Sequence, residues 1–327
     1  MRQTETLLST FIVSLIDQID PKGRVHCSLN INTETGRLSS RRPNLQNQPA
    51  LDKDIYKTRV AFEAEPGNKL IIADYGQLEL RILAIITNCK SMIEAFKQGG
   101  DFHSRTAANM FSYIKKELEE GKILLEKGKS TEDGTGPEIP LLKDKYANER
   151  KKAKTMNFSV AYGKSAFGFA KDWNCSVEEA EKFVALWYSD RPEVKEWQEK
   201  TKRIAFERGY TKTLMGRYRI LTKHFIGNNK KHILHGLRAA INTPIQGGAA
   251  DIVIAAMVKL KHCKELKELG WSVIHQIHDE VILEGPQESA EIALKLVREL
   301  MENPVDTQLA VKLETDAKIC DNWYQSK

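Results

Sequence analysis

Two carboxylates stand where apolar strands end. Leu70-Ile71-Ile72-Ala73 predicts a short buried strand that stops at Asp74. Farther along, IHQIHDEVILEG (274–285) sets His278, Asp279 and Glu280 between two apolar runs. Charge inside a core strand is costly, so the stretch predicts a strand–turn–strand hairpin with HDE as its exposed turn. Two acids brought together from distant segments repel each other unless a cation sits between them. Hard divalent ions such as Mg²⁺ accept one or two protein carboxylates and complete their shell with water and substrate phosphates. Taken singly, Asp74 could equally cap the helix that follows, and His-Asp-Glu could be a plain polar turn.

Three further segments carry residues suited to a polyanion. In ERKKAKTMNFSVAYG (149–163), Arg150, Lys154, Phe158 and Tyr162 recur every fourth residue, a slowly winding stripe on a helix. Its cations could hold a triphosphate and its rings could pack on sugar and base; a basic surface stripe running into a buried aromatic one is the alternative. TGRLSSRRPNLQNQP (35–49) combines Arg37, Arg41 and Arg42 with the amides of Asn44, Gln46, Asn47 and Gln48, a set able to contact phosphates and minor-groove acceptors. In LRAAINTPIQGGAAD (237–251), Arg238, Asn242 and Gln246 again fall four apart. The small residues Gly247, Gly248, Ala249 and Ala250 admit close approach or close packing.

The elements that must position these residues follow from pattern. QLELRILAIIT after Asp74 has helical periodicity, and residues 101–118 predict another helix. From about Lys116 to Asp144 charge, Gly and Pro dominate, which predicts an inserted loop. Helices are expected at 146–162, 176–188, 192–208 and 232–263, the last broken at Pro244, with a small hairpin at 210–221 turning near Met215-Gly216. The opening motif's two strands, a helix at 287–302 and a strand near 309–316 complete the chain. Strands and helices mix in the outer thirds while the middle is nearly all helical. The fold class is therefore α+β, a mixed body with a helical subdomain inserted into it.

A chain of 327 residues with 41% hydrophobic and 29% charged residues can bury a substantial core. Its net charge of +6 suits a polyanionic partner. Five scattered cysteines without a CxxC pair argue against a disulfide framework or zinc knuckle and for a reducing compartment. No apolar run reads as a membrane span, and the acidic N-terminal stretch predicts a helix and not a signal peptide.

Four segments in this order resemble the motifs of family A (polymerase I-type) DNA polymerases. DYGQLELR is similar to motif A, RKKAKTMNFSVAYG to motif B and IHDE to motif C, while the two polar segments resemble primer–template contacts. The resemblance spans about residues 24–324. Gly76 in motif A, where most relatives have Ser, and the charged insertion before motif B look most like plant and protist organellar polymerases; Ser159 stands where most have Gly. Neither change is expected to remove activity.

The resemblance implies a right-hand polymerase fold, a palm with an antiparallel β-sheet plus helices and an inserted all-helical fingers subdomain, with most of the thumb missing. Its implied divisions are a thumb remnant or linker helix at 1–23, palm at 24–90, fingers at 91–245 and palm at 246–327. It implies template-directed addition of dNTPs to a primer 3′-hydroxyl, with two Mg²⁺ ions (Mn²⁺ a possible substitute) held by Asp74 and Asp279, and with Glu280 supporting the site. Arg150, Lys154, Phe158, Tyr162, His103, Gln77 and Glu79 would bind the dNTP, Glu79 as the steric gate against a ribose 2′-hydroxyl. His103 also has a plain reading as a helix-start residue. Arg37, Gln46, Asn47, Arg238, Asn242, Gln246 and His278 would contact DNA. Implied partners are primer–template DNA and dNTPs, no membrane, and an exonuclease and thumb region of a longer parent; a monomer working in a plastid or mitochondrion in replication or repair is expected. Two rivals are a nucleic-acid-binding fragment without catalysis and a single-subunit RNA polymerase, the latter opposed by Glu79 and NFSVAYG.

Overall fold

Continuous apolar sequence becomes central strand, and alternating sequence becomes edge. The computed structural model describes residues 8–49, 54, 56–125 and 139–326. Its strands are β1 (Ser28–Asn30), β2 (Ser39–Arg41), β3 (Asn68–Tyr75), β4 (Tyr210–Lys212), β5 (Tyr218–Ile220), β6 (Ser272–Ile277), β7 (Glu280–Pro286) and β8 (Thr315–Cys320). Four of them form an antiparallel sheet in the order β6-β7-β3-β8. β3 and β7 lie inside it and are buried along most of their length, whereas β6 and β8 largely alternate buried and exposed residues.

The chain forms two compact units. The first comprises the described residues of Met1–Leu78, Gln246–Gln308 and Leu313–Lys327; the second comprises Glu79–Ile245 and Leu309–Lys312. In the first, one face of the sheet packs Leu70, Ile72, Ile277, Ile282 and Cys320 against Trp323. Helices Gly248–His262 and Ala290–Glu302 pack on each other and on the sheet. The Tyr75 hydroxyl donates to the Met301 carbonyl at 2.5 Å, tying the end of β3 to that helix.

β7 also buries two glutamates, which demands partners. Glu284 accepts from Arg24 Nη1 at 2.9 Å and Nη2 at 3.2 Å, from the Glu65 amide at 2.8 Å and from Asn68 at 3.3 Å. Glu280 accepts from Trp323 Nε1 at 2.9 Å.

The second unit is helical apart from the β4–β5 hairpin. Its core joins Leu80, Leu83, Phe96, Phe102, Met156, Val160, Phe169 and Trp187. The helices Ala147–Ala161, Val177–Ser189 and Pro192–Arg208 begin and end within a residue or so of their expected bounds. Ser176 caps one through its hydroxyl and Pro192 opens another, both local signals.

Several expectations need correction. The predicted 101–118 helix is two, Phe102–Met110 and Ser112–Glu119, because Phe111 is extended (φ −120°, ψ 108°) and packs its ring, tilted, against Phe183 and Tyr113. The predicted 116–144 loop starts late: its first residues finish that helix. Ile123 and Leu142 are core residues, and a parallel bridge joins Leu124 to Leu141. The rest of that predicted loop, 126–138, lies outside the described residues. So does the start of the predicted N-terminal helix, whose described part is a π-helical turn at Leu8–Val13 followed by Ser14–Ile16.

The last strand is Thr315–Cys320 and not 309–316. Alternation runs unbroken from Val311 through Ala317, so pattern cannot say where pairing starts; Val311 instead joins the helical core. The expected break at Pro244 is a π-helical turn, Thr243–Gly247, between helices Lys230–Asn242 and Gly248–His262. By length and composition this whole run could cross a membrane, contrary to expectation. Yet 61% of its apolar window is buried inside the protein, as in a core helix.

Candidate active site

β3 and the β6–β7 hairpin bring the two predicted carboxylates to one end of the sheet. Glu280 lies opposite Asp74 in register, and Asp316 lies opposite Asp74 on its other side. Ile277 pairs with Glu280, leaving His278 and Asp279 as a two-residue turn. Within it His278 is exposed and left-handed at φ 54°, a costly conformation for a non-glycine residue. The Asp279 carbonyl accepts from the Tyr75 amide at 3.2 Å, so the turn is fastened beside Asp74. The expectation of an exposed HDE turn is corrected at Glu280, which is buried against Trp323 as the first residue of β7.

Electrostatics makes this end of the sheet receptive to a cation. The Asp279 carboxyl is pushed up to about 6, chiefly by burial, with Arg37 pulling it down and Asp74 pushing it further up. Arg37 Nη2 lies 3.8 Å from Asp279 Oδ1. A divalent ion would relieve both burial and repulsion. Among the described residues no three His, Cys, Asp or Glu side chains form a complete cage. Two carboxylates fit a hard ion that draws its remaining ligands from water and phosphate.

The polar segment 35–49 docks on the same hairpin. Gln46 Nε2 donates to the Gln276 carbonyl at 3.2 Å, and Asn44 Oδ1 accepts from the Gln46 amide. Asn47 is exposed. Gln77, left-handed at φ 54°, keeps a buried Oε1 without a hydrogen-bond partner. At Gly76 an added Cβ would meet only the Glu314 carbonyl, at an ordinary 3.6 Å, so a serine fits there. Gln246, where this unit resumes after the helical one in sequence, is half-buried.

In the helical unit, the four-residue stripe falls on the accessible side of helix Ala147–Ala161. Lys154 is exposed and Arg150, Phe158 and Tyr162 are half-buried, while Ala153, Met156, Asn157, Val160 and Ala161 are buried. Arg150 is paired with Asp101 through Nε and Nη2. Asp101 also caps helix Phe102–Met110 at the His103 amide and takes the Ser104 hydroxyl. Burial pushes the Asp101 carboxyl up, but Arg150 and Ser104 outweigh it and leave it below the usual range. His103 is buried, its ring 5.7 Å from that of Phe158. Glu79 is buried in the first turn of helix Leu78–Thr87. Arg238 is exposed, and half-buried Asn242 keeps an Oδ1 without a partner. Gly163 ends the stripe at φ 73°, where a Cβ would come within 2.5 Å of Ile241.

Sequence reasoning missed Asp101, Asn157, Trp187 and Trp323. Asp101 carries a capping signature in DFHS, but nothing local announces its pairing with Arg150. Trp187 and Trp323 are buried core aromatics whose N–H groups gain meaning from partners far away in sequence.

Residues 1–122 and 139–325 match the model of DNA polymerase family A. The unmatched stretch falls within the expected insertion. The chain is 55% identical to DNA polymerase I A, chloroplastic/mitochondrial, of Arabidopsis thaliana, over 99% of its own length and 31% of that protein. It is 37% identical to the thermostable DNA polymerase I of Thermus aquaticus, over 100% of its length and 36% of that protein. Among solved structures it resembles the POL domain of Pol1 from M. smegmatis in complex with DNA primer-template and dNTP. That likeness has a TM-score of 0.84 and 31% identity, covering 99% of this chain and 52% of the other. The chain thus spans about a third of the length of these curated relatives.

Proposed function

The chain belongs to DNA polymerase family A, and on that premise we propose that it carries the palm and fingers of a template-directed DNA polymerase. In this reading residues 24–90 and 246–327 are palm, with residues up to about 23 a thumb remnant, and residues 91–245 are fingers. Asp74 and Asp279 would hold two Mg²⁺ ions, for which Mn²⁺ could substitute. Bound there, such ions would supply activation of the primer 3′-hydroxyl and charge for the leaving pyrophosphate. Little covalent chemistry remains for the protein, whose contribution is positioning and charge.

Glu280 anchors the metal-bearing turn through Trp323. Arg150, Lys154 and His103 grip the triphosphate, Phe158 packs on the sugar and Tyr162 sits by the templating base. Gln77 adds a contact to the dNTP and Glu79 excludes a 2′-hydroxyl. Arg37, Gln46, Asn47, Arg238, Asn242, Gln246 and His278 contact the primer–template, reading minor-groove acceptors common to all base pairs. Relatives named chloroplastic and mitochondrial support an organellar role in replication or repair. The chain acts as a monomer, and the parent supplies thumb and exonuclease.

The observation that carries the proposal is the Tyr75–Asp279 fastening, which sets two mutually repelling carboxylates side by side. Primer extension with Mg²⁺, using dNTPs or NTPs, tests it. Extension with dNTPs alone, abolished by Asp279→Ala and by Asp74→Ala, is expected. DNA binding without extension would leave only a binding fragment, comparable use of NTPs would favour an RNA polymerase, and activity surviving Asp279→Ala would sink the metal assignment.

A further inference from the structure

The buried network behind the cationic stripe sets a protonation state. Trp187 Nε1 lies 2.8 Å from Asn157 Oδ1. An indole nitrogen can only donate, so the atom facing it must be the amide oxygen. This settles which way the Asn157 amide points, with no freedom to flip. Its Nδ2 then faces His103 Nδ1 at 3.1 Å. An amide nitrogen also only donates, so Nδ1 must accept, and the ring proton belongs on Nε2. Thr106 completes the cluster: its hydroxyl lies 3.1 Å from Asn157 Nδ2 and takes Arg191 Nη2 at 3.3 Å. Asn157 is fully buried, so water does not compete for these bonds.

We propose that Asn157 is a positioning residue that holds His103 as the neutral tautomer protonated on Nε2, so that His103 meets the triphosphate as a hydrogen-bond donor and not as a cation. A second proton would have to enter at Nδ1, against the Asn157 donor. The surrounding charges agree on balance. Arg150 and Lys154 of helix Ala147–Ala161 oppose a positive ring, Asp101 at the cap of its own helix favours one, and burial is the largest influence; together they push His103 down to about 4. Arg150 and Lys154 already supply charge for the phosphates. A third cation among them would raise repulsion when no nucleotide is bound, whereas a neutral N–H adds direction without that cost. The donor is then present throughout the working pH range.

This inference rests on the nucleotide-binding reading, and the experiment separates the two. Nitrogen-15 NMR of the histidine-labelled chain, without nucleotide, reads which His103 nitrogen is protonated. Nε2–H, uncharged at pH 6 to 8, is expected; a proton on Nδ1 or a charged ring at pH 7 overturns the proposal whether or not the protein polymerises. Asn157→Asp replaces the donor by an acceptor, so His103 should gain a proton at Nδ1 and titrate near neutral pH. The variant's KM for dNTP should then rise with pH through that titration, a limb missing from the unmodified chain. His103→Gln, which keeps a neutral donor, should raise KM severalfold less than His103→Ala, whose loss is roughly tenfold or more. Equal losses in the two, with primer extension by the unmodified chain intact, would refute the donor role and leave the polymerase reading standing.

Discussion

Replacing Asp279 by asparagine should make the metal-free protein more stable while destroying its activity. Asp279 is raised from 3.8 to about 6, burial first and Asp74 adding to it. A carboxyl whose folded-state pKa is raised favours folding while it holds its proton. That contribution is complete below about pH 3.8 and is lost as pH rises through about 6. The shift of about two units corresponds to about 3 kcal/mol. With 23% of the side chain exposed, screening reduces this toward about 2 kcal/mol. The asparagine amide is close to an imitation of the protonated acid, so at pH 8 in chelator the variant should be more stable than the unmodified chain by about that amount. At pH 4 the two should converge.

Native-state hydrogen exchange at the amides of β3 and β7 confines the measurement to this unit. Added Mg²⁺ should stabilise only the unmodified chain, by about 1.4 kcal/mol for each tenfold excess over its dissociation constant. A less stable Asp279→Asn variant at pH 8, or equal Mg²⁺ stabilisation of both, would refute the claim that this carboxylate is held ready for a cation.

Other consequences concern neighbouring groups. Glu284→Gln removes the anion that Arg24 and the Glu65 amide converge on, and urea unfolding should show a loss of about 2–4 kcal/mol at pH 7. Burial pushes the Glu284 carboxyl up, but Arg24, the Glu65 amide and Asn68 hold it below its usual value, so that stability should fade as pH drops below about 4.5. Trp323→Phe withdraws the indole donor from Glu280; it should cost about 1–2 kcal/mol and lower kcat more than it raises KM, as steady-state primer extension would show. Glu79→Ala should admit NTPs, read as ribonucleotide incorporation into alkali-labile product. Unchanged discrimination would leave Glu79 a structural residue of its helix.

Chain-local chemistry made much of this molecule readable. The apolar run before Asp74 and the paired runs around His278-Asp279 specify strands because nothing else accommodates them, and a helix displays Arg150, Lys154, Phe158 and Tyr162 together whatever its surroundings. Caps such as Ser176 and Pro192 mark helix starts without reference to the rest of the fold. Pairing was not readable. The alternation from Val311 to Ala317 is equally satisfied by a strand or by burial in a helical core, and only the register of β8 against β3 decides between them. Glu280 looked like turn because its indole partner lies 43 residues away. Asp101 drew no notice in the sequence because its partner Arg150 lies 49 residues on. Which residues could do chemistry, and which short elements carry them, depends on neighbours along the chain and so stood in the sequence. Register, burial and the ionisation of Asp279 and His103 depend on neighbours in space, and only folding settles them.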